Sequence, residues 1–203
     1  MAWRRIERLS PNREPRRQGR RPDMLIMHYT AMQSAEKAVD WLCNPVSKVS
    51  CHYLVDEDGT IVAMVPEAER PGMPVSHWAG ETDLNSCSIG IEIHNVGPER
   101  GYPDFPEPQL RAVEELSLGI IARNAIPPER VLAHSDIAPF RKIDPGEKFP
   151  WQRMARAGIG RFVPEAPPTP GETLQRGAAG PEVGRLQRML AIYGYGIGAD
   201  ARL

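Results

Sequence analysis

The chain has 203 residues, of which 41% are hydrophobic and 25% are charged, and its formal net charge is −1. This balance is typical of a globular protein with a buried core, and the length suits one domain plus a small appendage. A net charge near zero gives no reason to expect nucleic acid or an anionic membrane as a partner, and no apolar run is long enough to span a bilayer.

Residues 1–22 predict a basic, irregular arm that is rich in arginine and proline. No apolar stretch follows this positive charge, so the segment does not resemble a secretory signal, and we expect a cytoplasmic protein. The cell envelope stays open as a compartment, because a leader can lie outside the sequence. The three cysteines cannot complete a disulfide framework, which favours a reducing compartment.

The first predicted elements are a strand, a helix and a hairpin. Residues 24–28 form an apolar run that predicts a buried strand ending at His28. Ser34 is suited to cap a helix over residues 35–43, whose apolar positions recur at helical spacing. Residues 52–65 predict a β-hairpin, because an Asp-Gly pair stands between two apolar segments.

The second half of the main domain predicts two more strands with a helix between them. Residues 88–93 carry isoleucine at alternate positions, so Glu92 is expected on the opposite face of that strand. Residues 106–123 show helical periodicity, and residues 131–133 form a short apolar strand that leads directly into His134. A polar loop and a short helix follow.

Alternating strands and helices predict an α/β fold: a mixed central β-sheet flanked by helices, with a short C-terminal helical extension. A proline-rich segment separates that extension from the main domain, and such a composition is typical of a stiff linker. The predicted organisation is an arm, a main domain, a linker and a helical tail, over residues 1–22, 23–162, 163–173 and 174–203.

Two histidines and an aspartate suggest a metal site. His28 and His134 each follow an apolar strand and open a polar loop, and Asp144 lies ten residues beyond His134. Two imidazoles and one carboxylate, with a fourth position open, form the ligand pattern of catalytic zinc. No local motif links the three residues, so their spacing alone leaves ordinary structural roles equally open.

Glu92 and Lys142 are the candidate catalytic residues. A strand glutamate that faces a metal-bound water is placed to take its proton, although a solvent-exposed side chain is the simpler interpretation. Lys142 stands two residues before Asp144 and should project to the same side of an extended loop. A fixed cation there would stabilise an oxyanion, and a solvated loop lysine is the alternative.

Five segments of the chain form an ordered set of motifs: LIMHYTAM (25–32), CHYLVDEDGTIVAMVPE (51–67), HWAG (77–80), SIGIEIHN (88–95) and LAHSDIAPFRKIDPG (132–146). In this order they resemble the N-acetylmuramoyl-L-alanine amidases of the amidase 2 type, a family related to the peptidoglycan recognition proteins. The resemblance covers about residues 22–160, and the most specific segment is the last, which contains two presumed ligands and the lysine.

The resemblance implies a zinc enzyme that hydrolyses the amide bond between N-acetylmuramic acid and L-alanine. It assigns one Zn²⁺ per chain to His28, His134 and Asp144, the activation of water to Glu92, and transition-state stabilisation to Lys142. The implied partner is peptidoglycan or a muropeptide, including 1,6-anhydro forms. Some relatives keep the fold but only recognise peptidoglycan, so a non-catalytic binding module is the alternative.

Four further residues are candidate substrate contacts: Tyr29, His77, Trp78 and His94. Tyr29 follows the first presumed ligand, and His94 should share a face with Glu92. Relatives often read Trp-His-Ala-Gly where this chain reads His-Trp-Ala-Gly, so either aromatic residue of that segment can supply the contact.

The tail resembles the first half of a small helical peptidoglycan-binding module. It is either such a partial module or a helical extension that docks on the main domain. A partial wall-binding module favours polymeric peptidoglycan as the substrate, whereas a cytoplasmic enzyme would process small muropeptides. The sequence does not determine the oligomeric state.

Overall fold

The computed structural model describes residues 3–72, 74, 76–167, 171, 173–198 and 200–202. Parts of the predicted arm, linker and tail therefore lie outside the described residues, namely 1, 2, 168–170, 172, 199 and 203. The strands are β1 (Arg5–Glu7), β2 (Arg13–Pro15), β3 (Met24–Tyr29), β4 (Tyr53–Val55), β5 (Ile61–Ala63), β6 (Glu69–Pro71), β7 (Ser88–Ile93) and β8 (Val131–Ala133). The helices are α1 (Ala35–Leu42), α2 (Leu84–Cys87), α3 (Glu107–Asn124), α4 (His134–Ile137), α5 (Trp151–Arg156) and α6 (Pro181–Tyr193).

A mixed six-stranded sheet forms the centre of the molecule, in the order β1-β5-β4-β7-β3-β8. Strand β3 runs parallel to β7 and β8, β4 runs parallel to β7, and β4 and β5 form the predicted antiparallel hairpin. The predicted fold class is confirmed. Because β3, β7 and β8 are parallel, their carboxyl ends meet at one edge of the sheet, where α/β proteins usually build their sites.

The two faces of the sheet are covered by different helices. Leu25 and Met27 face the side where α3 packs, together with the isoleucines of β7. Met24 and Ile26 face the other side and pack with Trp78 and Leu132. Since side chains alternate along a strand, His28 and its register partner Glu92 lie on this second face, as the isoleucine pattern predicted for Glu92.

The prediction of an irregular N-terminal arm is wrong for two of its segments. Strand β1 pairs in parallel with β5 at the edge of the main sheet, and β2 pairs antiparallel with β6. Both strands are exposed and polar, so they show no hydrophobic alternation in the sequence. They form because the edges of β5 and β6 offer unpaired backbone groups to any extended segment that reaches them.

Arg16 anchors the end of this arm inside the protein. The Arg16 side chain donates to the carbonyl oxygens of Glu67, Asn85 and Ser88 at 2.8, 3.1 and 3.0 Å. Its guanidinium also lies 3.0 Å from Nε2 of His52. Burial, followed by the charge of Arg16, lowers the pKa of His52 to about 3, so this imidazole is neutral.

Replacing Arg16 with methionine is expected to lower the free energy of unfolding by about 3 kcal/mol, because buried carbonyl groups lose a charged donor. Arg17→Met is the matched control, since Arg17 is exposed, and it should change stability by less than about 0.5 kcal/mol. Urea unfolding followed by circular dichroism measures both. Equal stability of the two variants would contradict the anchoring role.

The C-terminal segment packs against the main domain. The rings of Tyr193 and Tyr195 meet Trp78 edge-on, with centroids 5.9 and 5.2 Å away. The amide of Ala79 donates to the carbonyl of Gly194 at 2.8 Å. The tail is therefore in contact with the main domain, and its resemblance to a partial peptidoglycan-binding module stays a prediction. Among the described residues, no helix combines the length and the apolarity that crossing a membrane requires.

Candidate metal centre

The structure brings His28, His134 and Asp144 together at the carboxyl edge of the sheet. Nδ1 of His28 lies 2.9 Å from Nδ1 of His134, and Oδ2 of Asp144 lies 2.9 Å from His134 Nδ1 and 3.3 Å from His28 Nδ1. All three side chains are buried. Residues far apart in the chain thus present three ligand atoms to one point.

This donor set fits a tetrahedral divalent ion. Zinc bonds of about 2.0–2.1 Å place two ligand atoms about 3.3 Å apart in a tetrahedron, close to the separations observed here. Burial, and then the neighbouring His28, lowers the pKa of His134 to about 4, so its imidazole is neutral. Burial alone would raise the pKa of Asp144, but hydrogen bonds from His134 and His28 outweigh it and hold that pKa below its ordinary value. Metal ligands need these deprotonated forms.

Local hydrogen bonds hold the two later donors in place. Asp136 accepts from the amide of Ala133 at 2.8 Å through Oδ2, which fixes the start of α4, where His134 stands. The amide of Ser135 donates to the carbonyl of Asp144 at 3.0 Å, and Tyr102 Oη donates to the carbonyl of Pro145 at 3.0 Å. The loop that carries Asp144 is therefore hydrogen-bonded both to α4 and to Tyr102.

Glu92 lies beside the donor set with an unsatisfied carboxylate oxygen. Its Oε2 is buried and has no hydrogen-bond partner among the described residues. Burial raises the pKa of Glu92 to about 7; the nearby His28 opposes that rise, and Asp144 adds to it. A carboxyl group with this pKa can take up and return a proton near neutral pH.

A cleft of about 410 Å³ opens over the site and is lined by Glu92, His134, Lys142 and Asp144. Lys142 is half-buried, on the same loop as Asp144, as its spacing in the sequence predicted. Tyr29 also lines the cleft, so its predicted position next to substrate is consistent with the geometry.

Two of the predicted substrate contacts, Trp78 and His94, are buried in this structure, and their contact with substrate stays a prediction. Trp78 is only 3% exposed and lies beneath Tyr193 and Tyr195, because the tail covers it. His94 is 5% exposed, and its Nδ1 lies 3.0 Å from Oγ1 of Thr30, since β7 ends at Ile93 and the chain turns there. Neither side chain lines the cleft.

His77 and two residues absent from the predicted set complete the surroundings. His77 is exposed and lines a smaller neighbouring pocket together with Arg141. Trp41 and Arg141 line the main cleft. Trp41 could have been singled out in the sequence because it lies on the side of α1 away from the buried apolar residues of that helix. Arg141 could have been singled out because it directly precedes Lys142 in the chain.

The sequence resembles known enzymes over most of its length. Residues 18–147 match the family described as N-acetylmuramoyl-L-alanine amidase. The chain is 36% identical over 200 residues to N-acetylmuramoyl-L-alanine amidase AmiD of Escherichia coli, covering 87% of this chain and 68% of AmiD. It is 31% identical over 166 residues to 1,6-anhydro-N-acetylmuramyl-L-alanine amidase AmpD of Escherichia coli, covering 71% of this chain and 87% of AmpD.

Solved structures show the same architecture. The structure of AmiD from E. coli with anhydro-N-acetylmuramic acid-L-Ala-D-γ-Glu-L-Lys matches with a TM-score of 0.76 at 35% identity, over 92% of this chain and 77% of that one. The structure of AMPDH3 from Pseudomonas aeruginosa matches with a TM-score of 0.69 at 28% identity, over 92% of this chain and 79% of that one.

Proposed function

This chain belongs to the N-acetylmuramoyl-L-alanine amidase family, and we propose that it hydrolyses the amide bond between N-acetylmuramic acid and L-alanine in peptidoglycan fragments. The observation that carries the proposal is the convergence of His28, His134 and Asp144 beside Glu92 in one cleft. A module that only recognised peptidoglycan would have no need for a complete donor set next to an unsatisfied carboxylate.

The metal in this proposal is one Zn²⁺ per chain, held by His28, His134 and Asp144. The choice rests on two imidazole nitrogens and one carboxylate oxygen at tetrahedral spacing, a donor set that zinc favours. When bound, zinc supplies a Lewis acid that polarises the substrate carbonyl and acidifies a water molecule.

Glu92 is the proton carrier in the proposed reaction. Its Oε2 takes the proton of the attacking water and returns it to the nitrogen of L-alanine as the amide bond breaks. Burial and a pKa near 7 suit both transfers, because the carboxyl group holds a proton neither too tightly nor too weakly at neutral pH. No side chain of this protein needs to bond covalently to the substrate.

Lys142 supplies a fixed positive charge in the same cleft. Negative charge develops on the carbonyl oxygen as the tetrahedral intermediate forms, and a cation held close by lowers its energy. The amide of Lys142 donates to the carbonyl of Ala138 at 3.0 Å, so the backbone that carries this lysine is tied to the residue that follows α4.

The substrates proposed are muropeptides, including 1,6-anhydro forms, because AmpD is named for that form and the AmiD structure holds an anhydro-muropeptide. The test combines metal analysis with mass spectrometry of the products from purified anhydro-muropeptides and from whole sacculi. We expect one zinc per chain and two products, a saccharide with a lactyl carboxylate and a peptide that begins with L-alanine. Binding without cleavage would leave only the recognition function, and cleavage at another bond would overturn the proposed specificity.

A further inference from the structure

Helix α4 carries His134 and is too short to hold its own shape. It has four residues, a single turn, and its buried side chains are those of His134 and Ile137. An isolated turn of helix is unstable in water, because fixing its backbone costs more free energy than its first hydrogen bond contributes. The direction of the His134 imidazole therefore depends on what the rest of the protein contacts in this turn.

Asp136 is the side chain that closes this turn, and it uses both carboxylate oxygens. Oδ2 accepts from the amide of Ala133, the residue immediately before α4, at 2.8 Å. Oδ1 accepts from the hydroxyl of Tyr195, in the C-terminal tail, at 2.9 Å. Burial, and then the charge of Asp136, raises the pKa of Tyr195, so this hydroxyl stays protonated and donates. A continuous hydrogen-bonded path thus leads from the tail to the backbone at the start of α4.

The tail reaches α4 because Trp78 gives it a surface on which to turn. Gly194 has a φ of +137°, and a Cβ at this position would lie 2.5 Å from the Trp78 ring, so a larger residue does not fit. The Tyr195 ring packs edge-on against the same indole, with centroids 5.2 Å apart. Tyr195 also packs against the apolar cluster that contains Trp78 and Ile137. The tail therefore supports α4 both by apolar packing and by one hydrogen bond.

We infer that Tyr195 is a positioning residue for the metal centre: through Asp136 it fixes the start of α4 and thereby aims Nδ1 of His134 at the other two ligand atoms. This Nδ1 lies 2.9 Å from the ligand atoms of both His28 and Asp144, so a small rotation of the turn would separate the three donors. The inference rests on the proposed function, and it gives the C-terminal tail a part in the metal site. Tyr195 is not among the residues that line the cleft.

Tyr195→Phe removes the hydroxyl and keeps the ring on Trp78. We expect it to bind zinc about three- to tenfold more weakly than the parent, because an outer-shell partner of a metal ligand typically contributes about 10- to 100-fold and Tyr195 stands farther out. Tyr193→Phe is the matched control, since Tyr193 packs against the same indole and its hydroxyl has no hydrogen-bond partner within the described part of the chain. This control should keep the parent affinity. Competition with a chromogenic chelator measures both values.

Cobalt substitution separates positioning from general stability. The visible absorption of bound Co²⁺ depends on the geometry of its ligands, so a displaced imidazole should change these bands in Tyr195→Phe and not in Tyr193→Phe. Thermal unfolding of the metal-free proteins is measured on the same preparations. A purely structural role for Tyr195 would lower the melting temperature but leave the cobalt spectrum and the zinc affinity at the parent values, and that result would overturn the inference.

A double-mutant cycle tests whether Tyr195 acts through Asp136. Asp136→Ala removes both hydrogen bonds and should weaken zinc binding by about tenfold or more. Adding Tyr195→Phe to Asp136→Ala should change the affinity by less than about 1.5-fold, because the hydroxyl then has no acceptor to hold. If the two losses multiply instead, the residues act independently and the proposed path is wrong.

Amide hydrogen exchange in the metal-free protein keeps this inference separate from the proposed function. The amide of Ala133 should exchange at least about threefold faster in Tyr195→Phe than in the parent and in Tyr193→Phe, because Asp136 is held less firmly. If the parent cleaves muropeptides but the two tyrosine variants agree in zinc affinity, cobalt spectrum and amide exchange, only the inference fails. If the parent binds no zinc and cleaves nothing, the proposed function fails, and the exchange rate of Ala133 still decides whether the tail positions α4.

Discussion

Glu92→Gln is expected to lower turnover of muropeptides by about 100- to 10,000-fold while zinc content stays at the parent value. Glutamine has almost the same shape as glutamate but cannot accept a proton from water at neutral pH. Oε2 of Glu92 is buried and unpartnered among the described residues, and the carboxylate of the neighbouring Asp144 is assigned to the metal in the proposed site. Steady-state kinetics and metal analysis on the same preparation measure the two effects.

Glu57→Gln is the matched control for this variant, because it removes the same charge from an exposed turn between β4 and β5. It should keep the parent rate. A Glu92→Gln enzyme that also works at the parent rate would show that the proposed proton carrier is wrong. Loss of zinc in that variant would instead assign Glu92 a role in metal binding.

Asp144→Ala should abolish turnover by a different route, through loss of the metal. Removing an outer-shell partner of a metal ligand typically weakens binding about 10- to 100-fold, so loss of a direct ligand should exceed about 100-fold. The imidazoles of His28 and His134 would remain, but two nitrogens alone do not complete the three-donor set. Competition with a chromogenic chelator measures the zinc affinity.

Thermal stability gives a second readout of the same variant. A ligand present at about 100 times its dissociation constant stabilises the folded state by about 2.7 kcal/mol, so a chelator should lower the melting temperature of the parent protein. The chelator should not change the melting temperature of the Asp144→Ala variant. Asp104→Ala is the control, because Asp104 has an 89% exposed side chain and is expected to keep the parent affinity. Unaltered zinc binding by Asp144→Ala would exclude that carboxylate from the site.

The residues of the candidate site could be singled out because each stands at a recognisable position of a local sequence pattern. His28 and His134 follow apolar strands, and Glu92 interrupts an alternating run of isoleucines. Periodicity places such side chains on a face or at a strand end. It does not say which strands are neighbours, and only the parallel pairing of β3 with β7 and β8 brings these ends to one point.

The residues that line the cleft were harder to predict because their exposure depends on segments that are distant in the chain. Trp78 belongs to a recognisable motif, yet the tail residues Tyr193 and Tyr195 cover its ring. Trp41 belongs to no motif that was singled out, yet it stands at the rim of the cleft. Whether an aromatic ring meets a ligand or another part of the protein is decided by what packs on it.

The sequence alone therefore determined the α/β class, the strand ends that carry the donors and the family resemblance, because these depend on hydrophobic periodicity and on short, ordered motifs. The tertiary structure decided that the N-terminal arm supplies edge strands, that the tail covers Trp78 and that Trp41 and Arg141 line the cleft. These features arise from contacts between segments far apart in the chain, and no local pattern of residues encodes which surfaces will meet.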